Sequence, residues 1–186
     1  MERRILKDDK IILRPLEPAD AELLFEAIIE SVDALSPWLS FIHPRYSIKE
    51  TREWLSKRNM EWENGIAYDF AIFDSKNGRL LGGCGMNDVS DKYKMANIGY
   101  WVRTSEIGRG IAPAATRLLA KFAFENVGLN RIEITVDVDN IKSQRAAEKA
   151  GAKREGILRN RICFGHTPRD IYMISIVPHD LSFCSA

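Results

Sequence analysis

The sequence predicts an α/β protein of the α+β type, built on one mixed, mostly antiparallel central sheet with helices on both faces. Three observations predict it. Strand-like segments follow one another with short links between residues 68 and 102, the signature of an antiparallel meander. From residue 131 onward strand, helix and strand alternate, which adds a crossover to that sheet. The chain has 186 residues, 45% hydrophobic and 28% charged, which suits a single domain over 1–186 with a substantial core.

The first strand is Lys10 to Arg14, stopped by Pro15. Glu17-Pro18 opens a helix in which Leu23, Leu24, Ala27 and Ile28 recur at helical spacing. An aromatic loop with two prolines, Ser36 to Pro44, follows. Ser47 and Glu50 form a capping box that starts a long helix through Trp54, Leu55 and Trp62 to the break at Asn64-Gly65. Strands Tyr68 to Phe73 and Arg79 to Met86 are joined by Asp74 to Gly78, which ends in the Asn-Gly hairpin signal. A charged loop, Asp88 to Lys94, leads to the strand Met95 to Val102. A helix runs from Gly110 to about Asn126. The strand Arg131 to Val138 alternates strictly, with Ile132, Ile134, Val136 and Val138 on its buried side. A short helix, Asn140 to Ala150, ends on Gly151, and strands Ala152 to Phe164 and Arg169 to Val177 complete the order. A meander ahead of β-α-β is not a doubly wound dinucleotide-binding pattern.

Charge and composition exclude several functions. Lys+Arg 27 against Asp+Glu 26 gives +1, so nothing marks a nucleic-acid partner. The longest uncharged stretch, Ala34 to Pro44, is too short to span a membrane, and the opening MERRILKDDK has no apolar signal region. Cys84, Cys163 and Cys184 form neither a disulfide framework nor paired metal-ligand spacing. The expectation is a cytoplasmic protein with no metal and no membrane or nucleic-acid partner.

The most informative segment is the strand running into Gly108-Arg109-Gly110, which opens directly into a helix. Two glycines permit positive φ and close backbone approach, and the first N–H groups of the helix point into the same space with the positive end of the dipole. Such a turn suits a phosphate or diphosphate, although the same glycines also serve a bare strand-to-helix connection. No Gly-Lys-Ser/Thr follows, so it is not a Walker loop. Asn140 and Ser143 stand three apart at the next helix start, where a cap and a first-turn polar residue are expected, and a ligand contact is compatible with both roles.

Ile98 to Val102, Gly108-Arg-Gly-Ile-Ala112, and Val138-Asp-Asn140-Ile-Lys-Ser143 leading to Ala150-Gly151 together resemble the GNAT superfamily of acetyl-CoA-dependent N-acetyltransferases. Leu13-Arg14-Pro15-Leu16, Trp38-Leu39 and the strand around Asp170 to Ile174 resemble its ribosomal-protein N-terminal alanine and serine acetyltransferase branch. The resemblance implies that Gly108, Arg109, Gly110, Ile111 and Ala112 cradle the diphosphate of acetyl-CoA. It implies that Trp101, Val102 and Arg103 hold the pantetheine through their backbone, and that Asn140 contacts the cofactor. Ser143 then becomes the catalytic candidate that supports the leaving thiolate. The chain departs from the family at Ser105, where Gln or Arg is usual, and Arg145, Ala146 and Ala147 lack the tyrosine many members carry. The resemblance also implies that Trp38, Phe41, His43, Trp54 and Trp62 wall an acceptor groove.

The reaction expected is transfer of acetyl to an α-amino group, such as a ribosomal-protein or peptide N-terminus, by direct attack in a ternary complex. Asp69, Asp88 or a water chain involving Tyr68 and Tyr100 is the candidate base. A small-molecule amine acceptor (polyamine, amino acid or antibiotic) and a non-catalytic CoA sensor are the alternatives, and a homodimer is an admissible assembly.

Overall fold

A computed structural model describes residues 2–182; Cys184 lies outside them. The strands are β1 (Leu6–Lys7), β2 (Ile11–Pro15), β3 (Tyr68–Asp74), β4 (Leu80–Ser90), β5 (Met95–Val102), β6 (Arg131–Asp137), β7 (Lys153–Phe164) and β8 (Thr167–Ile176). They form one eight-stranded sheet in the order β1-β2-β3-β4-β5-β6-β8-β7. Every neighbouring pair is antiparallel except β5 with β6. The mixed sheet read from the sequence is therefore the sheet observed.

Helices cover both faces, because each strand's alternating apolar residues must be buried on two sides. On one face lie α1 (Ala21–Leu35) and α2 (Ile48–Leu55), whose Leu24, Ala27, Ile28 and Leu55 pack with Leu16, Ala71 and Leu80. On the other lie α4 (Ile111–Phe122), continued by a π-turn at Ala123–Val127, and α5 (Ile141–Lys149). Their Ala115, Leu119, Phe122 and Ala147 pack on Ile98, Ile132, Ile134 and Ile174. A short α6 (Pro178–Ser182) follows β8. The segment read as one helix up to Asn64 is two, α2 and α3 (Arg58–Glu63), separated by a turn at Ser56 and Lys57. The break lets Trp62 swing under the sheet, where it packs edge-on against Tyr68 and Phe70 at 4.9 and 5.2 Å.

Two further features lie outside the sequence reading. The strand read as ending at Met86 runs on to Ser90, and the register shifts between Asn87 and Ser90, with Asp88 at φ 51. At the start of the chain, Leu6–Lys7 adds a short edge strand.

The feature that creates the site is the shortness of the β5–β6 pairing. The strands share only Met95↔Arg131, Ala96↔Ile132 and Asn97↔Glu133, after which they splay. The Asn97 amide closes the apex, donating to Asn87 Oδ1 (2.9 Å) and accepting from Thr135 N and Oγ1 (3.3 and 3.2 Å).

Candidate active site

Beyond Asn97 the facing edges of β5 and β6 have no partner strand between them. The Arg103 N–H donates to Leu81 O of β4 at 2.8 Å. By the alternation of an antiparallel ladder, residues 99, 101 and 103 turn their backbone groups toward β4, and 100 and 102 turn theirs into the gap. A cavity of about 680 Å³ fills that gap, lined by Ile98 to Val102, Ile134 to Asp137, the start of α4, one face of α5, and residues 33–39.

α4 and α5 each present their N-terminus to the cavity, and α1 brings its C-terminal residues Asp33 to Leu35. Before α4, Gly108 and Gly110 adopt φ 86 and 78, a left-handed conformation that only glycine takes without strain. No side chain caps α4, and its first intrahelical donor is Ala114, whose N–H reaches Gly110 O at 3.2 Å. The earlier N–H groups, at Ile111 and Ala112, are thus left to an external acceptor, while Pro113 has none to offer. Before α5, Asn140 caps the helix by accepting the Ser143 N–H on Oδ1 at 3.1 Å.

Ser143 is held from across the gap. The Tyr100 hydroxyl donates to Ser143 O at 2.9 Å and lies 3.1 Å from Ser143 Oγ. Burial pushes the Tyr100 phenol above its ordinary value, partly offset by its hydrogen bond with Ser143. The phenol therefore stays protonated, and β5 and α5 are clasped by neutral hydroxyls.

Of the sequence-derived site residues, Trp101, Val102, Gly108, Gly110, Ile111, Ala112, Asn140 and Ser143 all line the cavity. The side chains of Arg103 and Arg109 are committed elsewhere. Arg103 is buried and ion-paired to Glu26 (2.8 Å) and Glu30 (3.4 Å), and its N–H is bonded to β4. Arg109 pairs with Glu106, whose other oxygen binds Arg79 at 2.8 Å. Ser105 is bonded to Glu30 through Oγ (2.6 Å) and also lies outside the cavity wall.

The aromatic residues divide. Trp38 lines the cavity, but Trp62 is core, Trp54 stacks under the Arg58 guanidinium, Phe41 is exposed and His43 is paired with Glu50. Neither carboxylate considered as a base lies in the wall. Asp69 is half-buried against Arg58 (2.7 Å), and its carboxyl sits where a Cβ on Gly85 would stand only 2.2 Å away. Burial raises the Asp69 carboxyl above its ordinary range, with Arg58 opposing. Asp88 is exposed at the bulge.

Two sets of residues went unread in the sequence. Asp137 lines the cavity and is bridged by Arg169 (3.0 Å), which also donates to Pro37 O at 3.1 Å. That pair forms the boundary with a second cleft of about 580 Å³, lined by Pro37, Trp38, 137–139 and 167–170. On α5, Lys142, Arg145 and Lys149 line the cavity as a cationic face. Their spacing of three and four was visible in the sequence, but the surrounding alanines drew attention to packing instead.

Comparison with known proteins identifies the family. The family described as "Acetyltransferase (GNAT) domain" matches residues 10–153. The chain belongs to this acetyltransferase family and is an N-acetyltransferase. A Bacillus subtilis relative, named "Putative ribosomal N-acetyltransferase YdaF", is 32% identical over 176 residues, covering 93% of this chain and 94% of that protein. The Escherichia coli ribosomal-protein-serine acetyltransferase is 32% identical over 122 residues, 66% of this chain and 65% of its own. RimJ of Mycobacterium smegmatis, solved in complex with CoA-disulfide, superposes with a TM-score of 0.84 at 25% identity, covering 96% of this chain and 88% of that one.

Proposed function

We propose that the protein transfers acetyl from acetyl-CoA to the α-amino group of a ribosomal-protein N-terminus in the cytoplasm. One observation carries the reading: the β5–β6 splay opens a cavity that joins the uncapped start of α4 to the Tyr100–Ser143 clasp. The residues fit the donor. The N–H groups of Ile111 and Ala112, with two left-handed glycines leaving open space beside them, suit a diphosphate, and the unpaired β5 edge at Tyr100 and Val102 suits an amide-bearing arm.

Acetyl-CoA supplies an activated thioester, so no covalent protein nucleophile is needed. The Cys84 thiol is buried and pushed far up, out of any nucleophilic range. The β5 N–H groups facing the gap stabilise the charge that develops on the carbonyl oxygen. Ser143 Oγ gives a proton or hydrogen bond to the leaving sulfur, and Tyr100 fixes that hydroxyl in place. An α-amino group has an ordinary pKa near 7.7–8.0, so a fraction of it is already unprotonated at neutral pH and modest assistance suffices. The relatives named for ribosomal-protein acetylation support the choice of acceptor.

The test is thiol release from acetyl-CoA against peptides with Ala or Ser N-termini and a panel of free amines. Turnover on peptides and none on polyamines or amino acids is expected. Turnover confined to small amines overturns the acceptor, and donor binding without turnover on any amine overturns the acetyl-transfer mechanism itself.

A further inference from the structure

We propose that the Asp137 carboxylate recognises the acceptor's α-ammonium group where the two cavities meet, so that the site selects chains whose N-terminus is free and charged. The inference rests on the acceptor reading above and deepens it by one specificity-determining residue.

Pro37, Trp38, Asp137 and Arg169 line both cavities and so form the wall the two share. The side of the sheet on which Asp137 stands follows from the strand it ends. Ile132, Ile134 and Val136 of β6 pack in the core with Ala115, Leu119 and Ala147 of α4 and α5. By strand alternation Asp137 points to the opposite face, where Pro37 and Trp38 arrive from the end of α1. The start of α4 and the Tyr100–Ser143 clasp belong to the first face. The β5–β6 gap therefore runs through the sheet, with the donor's groups on one side and Asp137 on the other. Asp137 is also one turn of chain from the reacting centre. Its carbonyl accepts the Asn140 N–H at 3.0 Å, and Asn140 in turn caps the helix turn that carries Ser143.

The carboxylate is held in place and still has acceptor capacity. Its side chain is 8% exposed. Oδ1 accepts the Asp139 N–H at 2.9 Å, and Oδ2 accepts one Arg169 N–H at 3.0 Å. A carboxylate offers about four lone-pair sites, so these two contacts leave one or more on its oxygens for a further donor. Arg169 is itself braced by Pro37 O at 3.1 Å and by the Phe164 ring at 4.7 Å, which fixes the carboxylate's orientation before any ligand arrives. An α-ammonium brings three donors and a positive charge to this point, and its hydrogen bond to a carboxylate is of the charge-assisted kind. The ammonium then releases one proton to water in the second cleft. The amine that remains keeps an N–H on Asp137 and turns its lone pair to the gap.

Isothermal titration of the intact protein saturated with CoA, which carries no acetyl group to transfer, tests this. The probes are the Ala-terminated peptide that the enzyme turns over fastest and the same peptide with propionyl in place of alanyl, which lacks only the α-amino group. Wild type is expected to bind the ammonium form about tenfold more tightly. Asp137→Asn, nearly isosteric, is expected to remove that preference while changing the affinity for the propionyl peptide and for CoA by less than about twofold; a merely structural role would weaken both peptides alike. Asp137→Glu, which keeps the charge, should retain part of the preference. Equal wild-type affinity for the two peptides, or a preference that survives Asp137→Asn, overturns the assignment and leaves the acceptor reading intact. Turnover on no α-amino peptide overturns the acceptor reading and the assignment with it.

Discussion

At the start of α4 the residue before the helix is Gly110, left-handed and without a side chain to return a hydrogen bond, whereas α5 begins with Asn140, whose amide oxygen takes the Ser143 N–H. Both ends open on one cavity. The first is unfinished as a helix and offers bare backbone donors, so its chemistry is that of an anion seat and is indifferent to most side chains. The second is finished by its own cap, so what it offers are side chains: Ser143, and the cations Lys142, Arg145 and Lys149 of the same helix. Helix ends beside a ligand cavity thus divide into those that bind through what they lack and those that act through what they display.

The sharpest way to break the contrast is to place a carboxylate at the open end. Gly110→Asp brings negative charge against the free N–H groups and strains a left-handed position, and acetyl-CoA affinity is expected to fall by more than about a hundredfold by calorimetry. Gly110→Ala, strained but uncharged, should lose far less, and wild-type affinity in the Asp variant would remove the anion seat from α4. At the closed end, Ser143→Ala keeps the backbone donor and the cap but removes the hydroxyl, so kcat should fall roughly 10- to 100-fold with donor affinity within about twofold. An unchanged kcat there would reduce Ser143 to a helix residue. Asn140→Ala opens the closed end; the lost cap costs about 1 kcal/mol and lowers the melting midpoint by about 2–4 °C. Asn140→Asp, able to cap in the same way, should restore it.

The smallest effect is at a third helix start, the Ser47–Glu50 capping box of α2. There Ser47 and then His43 hold the Glu50 carboxyl below the ordinary glutamate value. Its contribution to stability is therefore complete above the unfolded-state pKa and is lost as pH falls through the folded one. A carbon-13 titration of Glu50 with a midpoint below that of a free glutamate checks the sign.

These helix starts also show why some of the molecule was legible in the sequence. Capping boxes, Gly-x-Gly and Asn-x-x-Ser are local chemistry, readable from three or four neighbours, and the meander and the alternation of 131–138 are equally local. The break between α2 and α3 was not, because nothing in 56–57 forces it; it is imposed by burying Trp62 beneath Phe70. Nor was the fate of the charged residues. The Arg109 side chain pairs with Glu106, and the Arg103 side chain, whose backbone alone was expected to meet the donor, is held by Glu26 and Glu30 from more than seventy residues away. Asp69 looked available until Arg58 and Gly85 were seen to enclose it, and the meeting of Asp137 with Arg169 and of Tyr100 with Ser143 is long-range in the same sense. Partnership across the sheet, not residue type, decides which polar groups are free to act.

The three-rung junction at Asn97 makes the sheet two ribbons riveted at a single point, β1 to β5 on one side and β6, β8 and β7 on the other. A rivet fixes the angle of two plates without joining their edges, so the wedge between them keeps its width when nothing fills it. Its open edge is then legible in amide hydrogen exchange as an every-other-residue pattern along the end of β5: the N–H groups of 99, 101 and 103 protected, those of 100 and 102 fast until a bound donor completes the wedge.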